Sequence, residues 1–456
     1  MTHSPRARAA GSLVACLLLV ACGTGTTTPT VSPMASGTPS TTAITSQQPS
    51  VGAVEPAPGS DSAVYAPNPG AIVVAIDPGH GGCLDWGVPD PSERGVELAE
   101  KTLTLAIARA LRDRLEAEGV TVVMVRDEDV ALAGDLYPDL GCEGAPWRDV
   151  NGDGEAGFDP EGATRTRDEL QARLDVANLV QADAFISIHI NSPFDGGQTI
   201  EVAFSETFYT DETPWGVGVT ERLARATQDG VVAELDAVAD HERGDRGITA
   251  HNFYLVAPPL FEPTSERPDP VKQPTRGALM PTILSEVGSI TLRAEHDVLA
   301  SPAGQAAVAD GFLTGLVAFF GERGTAVRIG LDDAPVGVLP DPIPGEGPPS
   351  WAPVAPDGSL RLRVTNTGTT TLAAGSRIVA GWEASDAPYL YLPPAELTEL
   401  GDPLPALAPG ESVVAVVDLP EAPGAGRSLA WISLLDGGST LADRGSPALQ
   451  LASEAP

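Results

Sequence analysis

Basic residues are scarce in this chain of 456 residues. Lysine and arginine together number 27, against 62 aspartates and glutamates, and the formal net charge is -35 at pH 7. This imbalance argues against nucleic acid as a partner, because so acidic a chain repels polyanions, and the same repulsion favours solubility. The apolar fraction is an ordinary 42%, so a chain of this length can build two or three domains with apolar cores.

Aliphatic and aromatic side chains are nearly absent from residues 23–68, which are mostly Thr, Ser, Pro and Gly. This composition cannot bury enough apolar surface to offset chain entropy, so we predict a disordered tether. Residues 1–22 combine arginines, a short apolar run and small residues, which is the layout of a secretion signal. The stretch "LVAC" ending at Cys22 resembles the lipobox of bacterial lipoproteins and predicts an exported, membrane-anchored lipoprotein that faces the wall. A buried cysteine in an ordinary signal peptide is the alternative.

Cysteine is also rare, with four in the whole chain, and only Cys83 and Cys142 lie beyond the tether. In an exported protein, a pair of cysteines is more often a disulfide than two free thiols. We therefore predict a bridge between Cys83 and Cys142.

Strand and helix patterns alternate over residues 69–322. An apolar strand at 71–76 precedes a helix at 99–118, on which Leu103, Ile107, Leu111 and Leu115 share one face. Beyond an insertion at about 132–165, helices are predicted near 170–180, 214–236 and 303–320. Strands are predicted at 120–125, 184–190 ("AFISIHI"), 199–204 ("TIEVAF"), 253–256 ("FYLV") and 282–287 ("TILSEV"). The alternation indicates an α/β domain, with a mostly parallel sheet, helices on both faces and chemistry at the C-terminal ends of the strands.

The composition changes again after the α/β segment. Residues 323–357 are rich in Pro and Gly and are predicted to form a linker. Residues 358–456 contain short alternating strands between turns, which favours a small all-β sandwich. Its phrases "LRVTNTGTTTL" and "LAPGESVVAVVDL" resemble bacterial immunoglobulin-like modules. The sequence leaves open whether this domain binds wall polymer, binds a partner protein or is only a spacer.

Four residues of the types found in catalytic zinc sites occur near the ends of predicted strands or at the start of a helix, where an α/β fold places its active site. His80 follows the first strand, His189 closes the strand "AFISIHI", Glu286 closes "TILSE", and Glu100 opens the first helix. Two histidines and a carboxylate with an open fourth position make a catalytic zinc site, and a further carboxylate serves as general base. Each residue also has an ordinary interpretation: a histidine can be hydrogen-bonded in a core, and an acidic residue is common in a first helical turn.

The blocks "IDPGHGG", "EKTLTL", "VVMVRD", "RLDVAN", "ADAFISIHIN" and "ILSEVG" occur in this order over about residues 71 to 322. In this they resemble the zinc-dependent N-acetylmuramoyl-L-alanine amidases of the amidase type 3 family. The resemblance implies that His80, Glu100 and His189 are zinc ligands and that Glu286 is the catalytic glutamate. Glu93 and Glu97 compete for the ligand role, but only Glu100 is followed by the Lys and leucine pattern of the family.

The same resemblance implies a peptidoglycan hydrolase, which cleaves the amide between N-acetylmuramic acid and the L-alanine of the stem peptide. Asn191 and Arg246 are weaker candidates for orienting substrate, and solvated surface roles are equally open for both. The sequence departs from the family after Glu286, where "EVGSITL" places Ser289 and lacks the usual Asn.

A second metal motif lies in the insertion. Within "DVNGDGEAGFDPE", residues 149–161, Asp149, Asn151 and Asp153 match the first half of an EF-hand calcium loop, whereas the twelfth position is proline. The sequence therefore predicts a candidate Ca²⁺ site, and ordinary turn formation is the alternative.

Two other functions remain open from the sequence. One is a different exported zinc amidase or peptidase on the same scaffold. The other is a wall-binding lipoprotein without catalysis, which the presence of all four site residues disfavours.

Overall fold

The computed structural model describes residues 69–82, 85–88, 95–133, 149–151, 167–195, 197–258, 276–337, 359–385, 387–423 and 426–455. The predicted signal and tether lie outside these residues, as do Cys22, Cys83, Cys142 and Asp153. The lipid anchor, the disulfide and the complete calcium loop therefore stay predictions.

The first part of the described chain alternates strands and helices. In order these are β1 (Val73–Pro78), α1 (Glu100–Ala117), β2 (Thr121–Met124), α2 (Arg167–Leu179), β3 (Ala184–Asn191), β4 (Phe194–Asp195), β5 (Gln198–Thr199), β6 (Phe204–Tyr209), α3 (Glu221–Val238), β7 (Gly244–Ala250), β8 (Thr282–Ser289), α4 (Arg293–Ala300) and α5 (Pro302–Gly321). Six strands form one mixed sheet in the order β2-β1-β3-β8-β6-β7. Only the β6–β8 pairing within it is antiparallel.

Helices cover both faces of this sheet, and the alternation of β1 shows why. Ile72, Val74 and Ile76 join the larger apolar core, to which α1, α3 and α5 contribute. Val73 and Ala75 face the other way into a core that includes the apolar residues of α2. Because both faces of the central strand are buried, β1 is apolar throughout.

Two predicted strands are wrong. Residues 253–256 form a turn, in which the Phe253 carbonyl accepts hydrogen bonds from the N–H groups of Val256 and Ala257. The last strand at that edge of the sheet is β7, which lacks the apolar run that marks a buried strand. The predicted strand at 199–204 is also broken: only its ends belong to β5 and β6, and the Ile200 N–H turns back to the Pro193 carbonyl.

The C-terminal part is all β. Its strands are β9 (Val327–Leu331), β10 (Leu360–Asn366), β11 (Arg377–Ala384), β12 (Thr398–Leu400), β13 (Ser412–Val417), β14 (Gly426–Asp436), β15 (Ser439–Thr440) and β16 (Leu449–Ala455). One antiparallel sheet has the order β13-β10-β9, and the other contains β12, β11 and β14, with β15 and β16 both paired to β14. The two sheets share one apolar core, as expected for a sandwich.

The linker predicted at 323–357 is wrong in its first part. β9 lies within it and pairs with β10, burying Val327 and Ile329 in the sandwich core. The sandwich therefore begins at residue 327, a short segment after α5. The alternating apolar residues of "VRIGL" predict this strand, although a proline-rich stretch follows it.

Among the described residues, α5 alone is long and apolar enough to cross a membrane. Its residues Phe312, Leu316 and Phe320 are buried in the larger core of the α/β sheet. This burial accounts for its apolar character as that of a core helix.

Candidate active site

The loop after β1 carries His80 in a left-handed backbone conformation, with a φ of 61°. Residues 78–82 look flexible in the sequence because of their glycines, yet the loop carbonyls are held from several sides. The carbonyls of residues 78, 79, 80 and 82 accept hydrogen bonds from the buried side chains of Lys101, Thr104, Arg126 and Arg173. These hydrogen bonds therefore fix the backbone that carries His80.

His189 reaches the same place from the neighbouring strand β3. The imidazole rings of His80 and His189 lie 4.8 Å apart between centroids and are nearly perpendicular. Gly79 makes this approach feasible, because a Cβ at that position would lie 2.5 Å from Cε1 of His189. Only a residue without a side chain fits there.

Glu100 lies between the two histidines at the start of α1. One carboxylate oxygen, Oε1, lies 3.2 Å from Nε2 of His80 and 3.3 Å from Nδ1 of His189. The backbone N–H of Ile190 donates to Oε1 at 3.0 Å, and that of Val88 donates to Oε2 at 2.9 Å. The side chain is 3% exposed, so its orientation is fixed by the site and not by its own helix terminus.

His80, Glu100 and His189 can together hold a metal ion. Each offers one ligand atom, and these atoms lie within 4.8 Å of one another. Nδ1 of His80 donates to Asp85 at 2.7 Å, which fixes the ring and leaves Nε2 facing Glu100. A carboxylate behind a ligand histidine is the usual outer support of a metal site. The described residues contain no other such group of three.

Glu286 lies on the strand beside His189. In the sheet register, His189 of β3 pairs with Glu286 of β8, and Glu286 pairs with Glu206 of β6. The three side chains thus point to one face of the sheet. Oε2 of Glu286 is buried and has no hydrogen-bond partner among the described residues.

Burial and neighbouring charges shift the protonation of this cluster. Burial raises the pKa of Glu286 well above its ordinary range, and the carboxylates of Glu100 and Glu206 raise it further. For His80, burial lowers the pKa, but the negative charges of Asp85 and Glu100 outweigh it and raise the pKa well above its usual value. The pKa of Glu100 shifts downward: burial disfavours its charged form, but the imidazoles of His80 and His189 outweigh burial and lower the pKa. Neighbouring ionisable groups whose pKa values are shifted in opposite directions are typical of functional sites.

The remaining predicted residues lie further out. Asn191 is the last residue of β3, two positions beyond His189. Arg246 lies within β7, with a side chain 47% exposed, and its guanidinium sits 3.4 Å from the ring centroid of Phe204. Asp149 and Asn151 belong to a short described stretch, where Asn151 is buried and its N–H donates to Asp168. Glu97, the competitor of Glu100, is exposed outside the metal-ligand group.

Sequence reasoning missed the residues that support the site. Asp85 pairs with His80, and Arg173 donates to the His80 carbonyl at 2.6 Å. Glu206, opposite Glu286, escapes detection because the antiparallel placement of β6 is not visible in the sequence. The only sequence signal for Arg173 is that it is the first residue of the block "RLDVAN".

The α/β part of the chain is similar to known proteins. Residues 74–318 match the family described as N-acetylmuramoyl-L-alanine amidase. The chain is similar to the germination-specific N-acetylmuramoyl-L-alanine amidase of Bacillus subtilis (strain 168), with 25% identity over 252 residues, 55% of this chain and 81% of that protein. It is 28% identical over 257 residues to the sporulation-specific N-acetylmuramoyl-L-alanine amidase of the same organism, covering 56% of this chain and 71% of that protein.

Among solved structures, an N-acetylmuramoyl-L-alanine amidase from Clostridium difficile 630 matches with 24% identity and a TM-score of 0.39, over 56% of this chain and 100% of that one. The family match runs from β1 into α5. It thus spans His80, Glu100, His189 and Glu286, and more than half of the sequence. The chain belongs to the amidase type 3 family of N-acetylmuramoyl-L-alanine amidases.

Proposed function

We propose that this chain hydrolyses the amide between the lactyl group of N-acetylmuramic acid and the L-alanine of the stem peptide by a zinc-dependent mechanism. His80, Glu100 and His189 hold the metal, and Glu286 is the general base. The observation that carries the proposal is the convergence of the three ligand atoms within 4.8 Å, with Glu286 on the strand beside His189. Membership of a family of peptidoglycan amidases supplies the substrate.

The chemistry of the three side chains fits zinc. Two imidazole nitrogens and one carboxylate oxygen are a common set of protein ligands in catalytic zinc sites, in which the fourth position stays open for water or substrate. Nε2 of His80 and Nδ1 of His189 face the same oxygen of Glu100. Zinc in such a site supplies Lewis-acid polarisation of a carbonyl and activation of water.

Glu286 is suited to move the proton. Its buried Oε2 lacks a partner among the described residues, so it is free to accept a hydrogen bond from water. In the reaction, a bond forms between the water oxygen and the lactyl carbonyl carbon, and the carbon–nitrogen bond of the amide breaks. Glu286 takes a proton from the water and passes it to the leaving amine of L-alanine. The products are the lactyl carboxylate on the glycan and a free stem peptide.

Arg246 and Asn191 are proposed to orient the stem peptide. Arg246 is half exposed, with its guanidinium 3.4 Å from the Phe204 ring centroid and 3.7 Å from Glu206, and its exposed donors can bind a carboxylate of the substrate. Asn191 follows the metal ligand His189 on β3. Both roles rest on position and residue chemistry.

The cellular setting is proposed from the sequence. Residues 1–22 have the layout of a secretion signal, and Cys22 is the proposed lipid attachment site. Export places the amidase where its peptidoglycan substrate lies. Three further proposals also come from the sequence. They are an immunoglobulin-like C-terminal sandwich, a Cys83–Cys142 disulfide, and a Ca²⁺ site at Asp149, Asn151 and Asp153.

Digestion of purified peptidoglycan tests the function. We expect the zinc-loaded chain to release stem peptides with a free L-alanine amine, identified by mass spectrometry of the products. Glu286→Gln is expected to retain stoichiometric zinc and to lose about a hundredfold or more in rate, the loss typical of removing a general base. Glu399→Gln is the matched control, because Glu399 is an exposed carboxylate of β12 that pairs with Arg377, and its rate should stay that of the wild type.

The outcomes separate the alternatives. Cleavage at another bond would replace the amidase with a different zinc hydrolase. A purified protein without zinc, inert after zinc is restored, would favour a wall-binding role. Full activity of Glu286→Gln would reject Glu286 as the base while leaving the metal site intact.

A further inference from the structure

The C-terminal sandwich contributes a buried tyrosine to the α/β domain. Tyr389, which follows β11, is 4% exposed. Its hydroxyl donates to Oδ1 of Asp175 at 2.7 Å and accepts from the Asn178 amide at 2.6 Å. Both partners lie on α2. A buried hydroxyl bonded to a carboxylate and an amide forms a specific contact, since each group would be costly to leave unpaired.

Asp175 also binds Arg276, which contacts the described stretch of the insertion. It accepts from Nε of Arg276 at 3.0 Å, and Nη1 of Arg276 donates to the Val150 carbonyl at 3.0 Å. Asp175 therefore ties the sandwich, through Tyr389, to α2 and to the described stretch of the insertion. Asp175 and Tyr389 are buried and Arg276 is mostly so, which strengthens the cluster electrostatically.

The same helix carries the main support of the His80 loop. Arg173, two residues before Asp175, is 1% exposed. It donates to Oδ1 of Asp77 at 2.6 Å and to the His80 carbonyl at 2.6 Å. A helix is stiff over two residues, so a displacement of α2 at Asp175 moves Arg173 and the loop that presents His80.

A second junction fixes the sandwich in place. The buried carboxylate of Asp183, just before β3, pairs with Arg323 at 2.7 Å and with Arg328 of β9. Its Oδ2 also accepts from the Val73 N–H at 2.8 Å. The sandwich therefore contacts the α/β domain at two separate points, through Arg328 of β9 and through Tyr389.

We propose that the C-terminal sandwich is a positioning element of the amidase site: Tyr389 holds α2 where Arg173 fixes the His80 loop. Tyr389 touches no substrate and is a positioning residue. This inference rests on the proposed metal role of His80, and it assigns the sandwich a task distinct from wall binding and from spacing.

Tyr389→Phe in the full chain tests the proposal, because it removes the hydroxyl and keeps the ring. Tyr391→Phe is the matched control: Tyr391 lies two residues further on, and its buried hydroxyl has no hydrogen-bond partner among the described residues. We expect Tyr389→Phe to weaken zinc binding about fivefold or more in competition with a chelator and to speed amide hydrogen exchange in residues 167–179. Tyr391→Phe should leave both unchanged.

The two measurements also separate this proposal from the proposed function. Hydrogen exchange of α2 is recorded on the chelator-treated protein and does not depend on catalysis. Wild-type exchange and zinc affinity in Tyr389→Phe, or equal changes in both tyrosine variants, would overturn the positioning role even if the enzyme is an active amidase. If Tyr389→Phe does not fold, Asp175→Asn takes its place, because it removes the charge that the Tyr389 hydroxyl and Arg276 share; wild-type exchange of α2 and wild-type zinc affinity in that variant would overturn the positioning role.

Discussion

At the scale of single residues, the site depends on a strained histidine beside a glycine. His80 adopts a φ of 61°, a conformation that costs a non-glycine residue about 1 kcal/mol or more. The hydrogen bonds that hold the loop carbonyls offset this cost, since they are made only when the loop is in place. Strain held by surrounding structure in this way keeps the imidazole of His80 in one orientation, as the proposed metal role requires.

Gly79→Ala should break this arrangement. The added Cβ would lie 2.5 Å from Cε1 of His189, closer than atoms of this kind approach, so the histidine must move. We expect zinc affinity to fall by about tenfold or more, measured by competition with a chelator. Gly321→Ala is the control, because a Cβ there would meet nothing within 4 Å, and it should bind zinc as the wild type does. Equal affinity in both variants would contradict the role of Gly79.

At the scale of secondary-structure elements, α3 and α5 pack closely through glycines. A Cβ on Gly311 would lie 2.6 Å from Cα of Val231 and 2.7 Å from the Gly230 carbonyl oxygen. A Cβ on Gly315 would lie 2.5 Å from Cα of Thr227. The backbones are thus in contact, and the apolar face that the two helices share covers the sheet below the site.

Gly311→Ala is expected to lower the free energy of unfolding by about 1 to 3 kcal/mol, because the helices must separate to admit the methyl group. Denaturant titration measures the loss. Gly321→Ala, at the open end of the same helix, should be close to neutral. A variant at Gly311 as stable as the wild type would show that the two helices can shift at little cost.

The sequence predicts the elements that are apolar and buried better than those at the edges. Leu103, Ile107 and Leu111 mark α1, and all three are buried as their spacing predicts. β7 escapes detection because it is a half-exposed edge strand without an apolar run. Of the site, the convergence of His80, Glu100 and His189 is predictable from their motifs. Asp85 is not, because its contact with His80 depends on how the intervening loop folds back.

At the scale of the whole molecule, the described residues beyond Ala63 form a single compact unit. The sandwich is therefore part of the enzyme body and not a separate module on a linker. Asp183 is the centre of one junction: burial disfavours its charge, but Arg323 and Arg328 outweigh burial and lower its pKa.

This junction predicts a pH dependence of stability. Because the pKa of Asp183 is lower in the folded protein, its contribution is complete above the unfolded value of about 3.9 and is lost as pH falls through the folded value. Asp183→Asn should lower the free energy of unfolding by about 3 kcal/mol or more near pH 6. The gap between wild type and variant should shrink below about pH 4, measured by denaturant unfolding across that range. A gap that does not change with pH would contradict the assignment.

The unsatisfied oxygen of Glu286 implies a trade between stability and activity. Burial raises the pKa of the Glu286 carboxyl well above its ordinary range, because the folded chain stabilises the charged form of this group less well than water does. Glu286→Met, which fills the same space without a polar atom, should therefore melt at a higher temperature than the active protein while hydrolysing no substrate. A lower melting temperature would mean that burial of this carboxyl costs the fold little. The residue proposed as the general base is thus one that a fold selected for stability alone would discard.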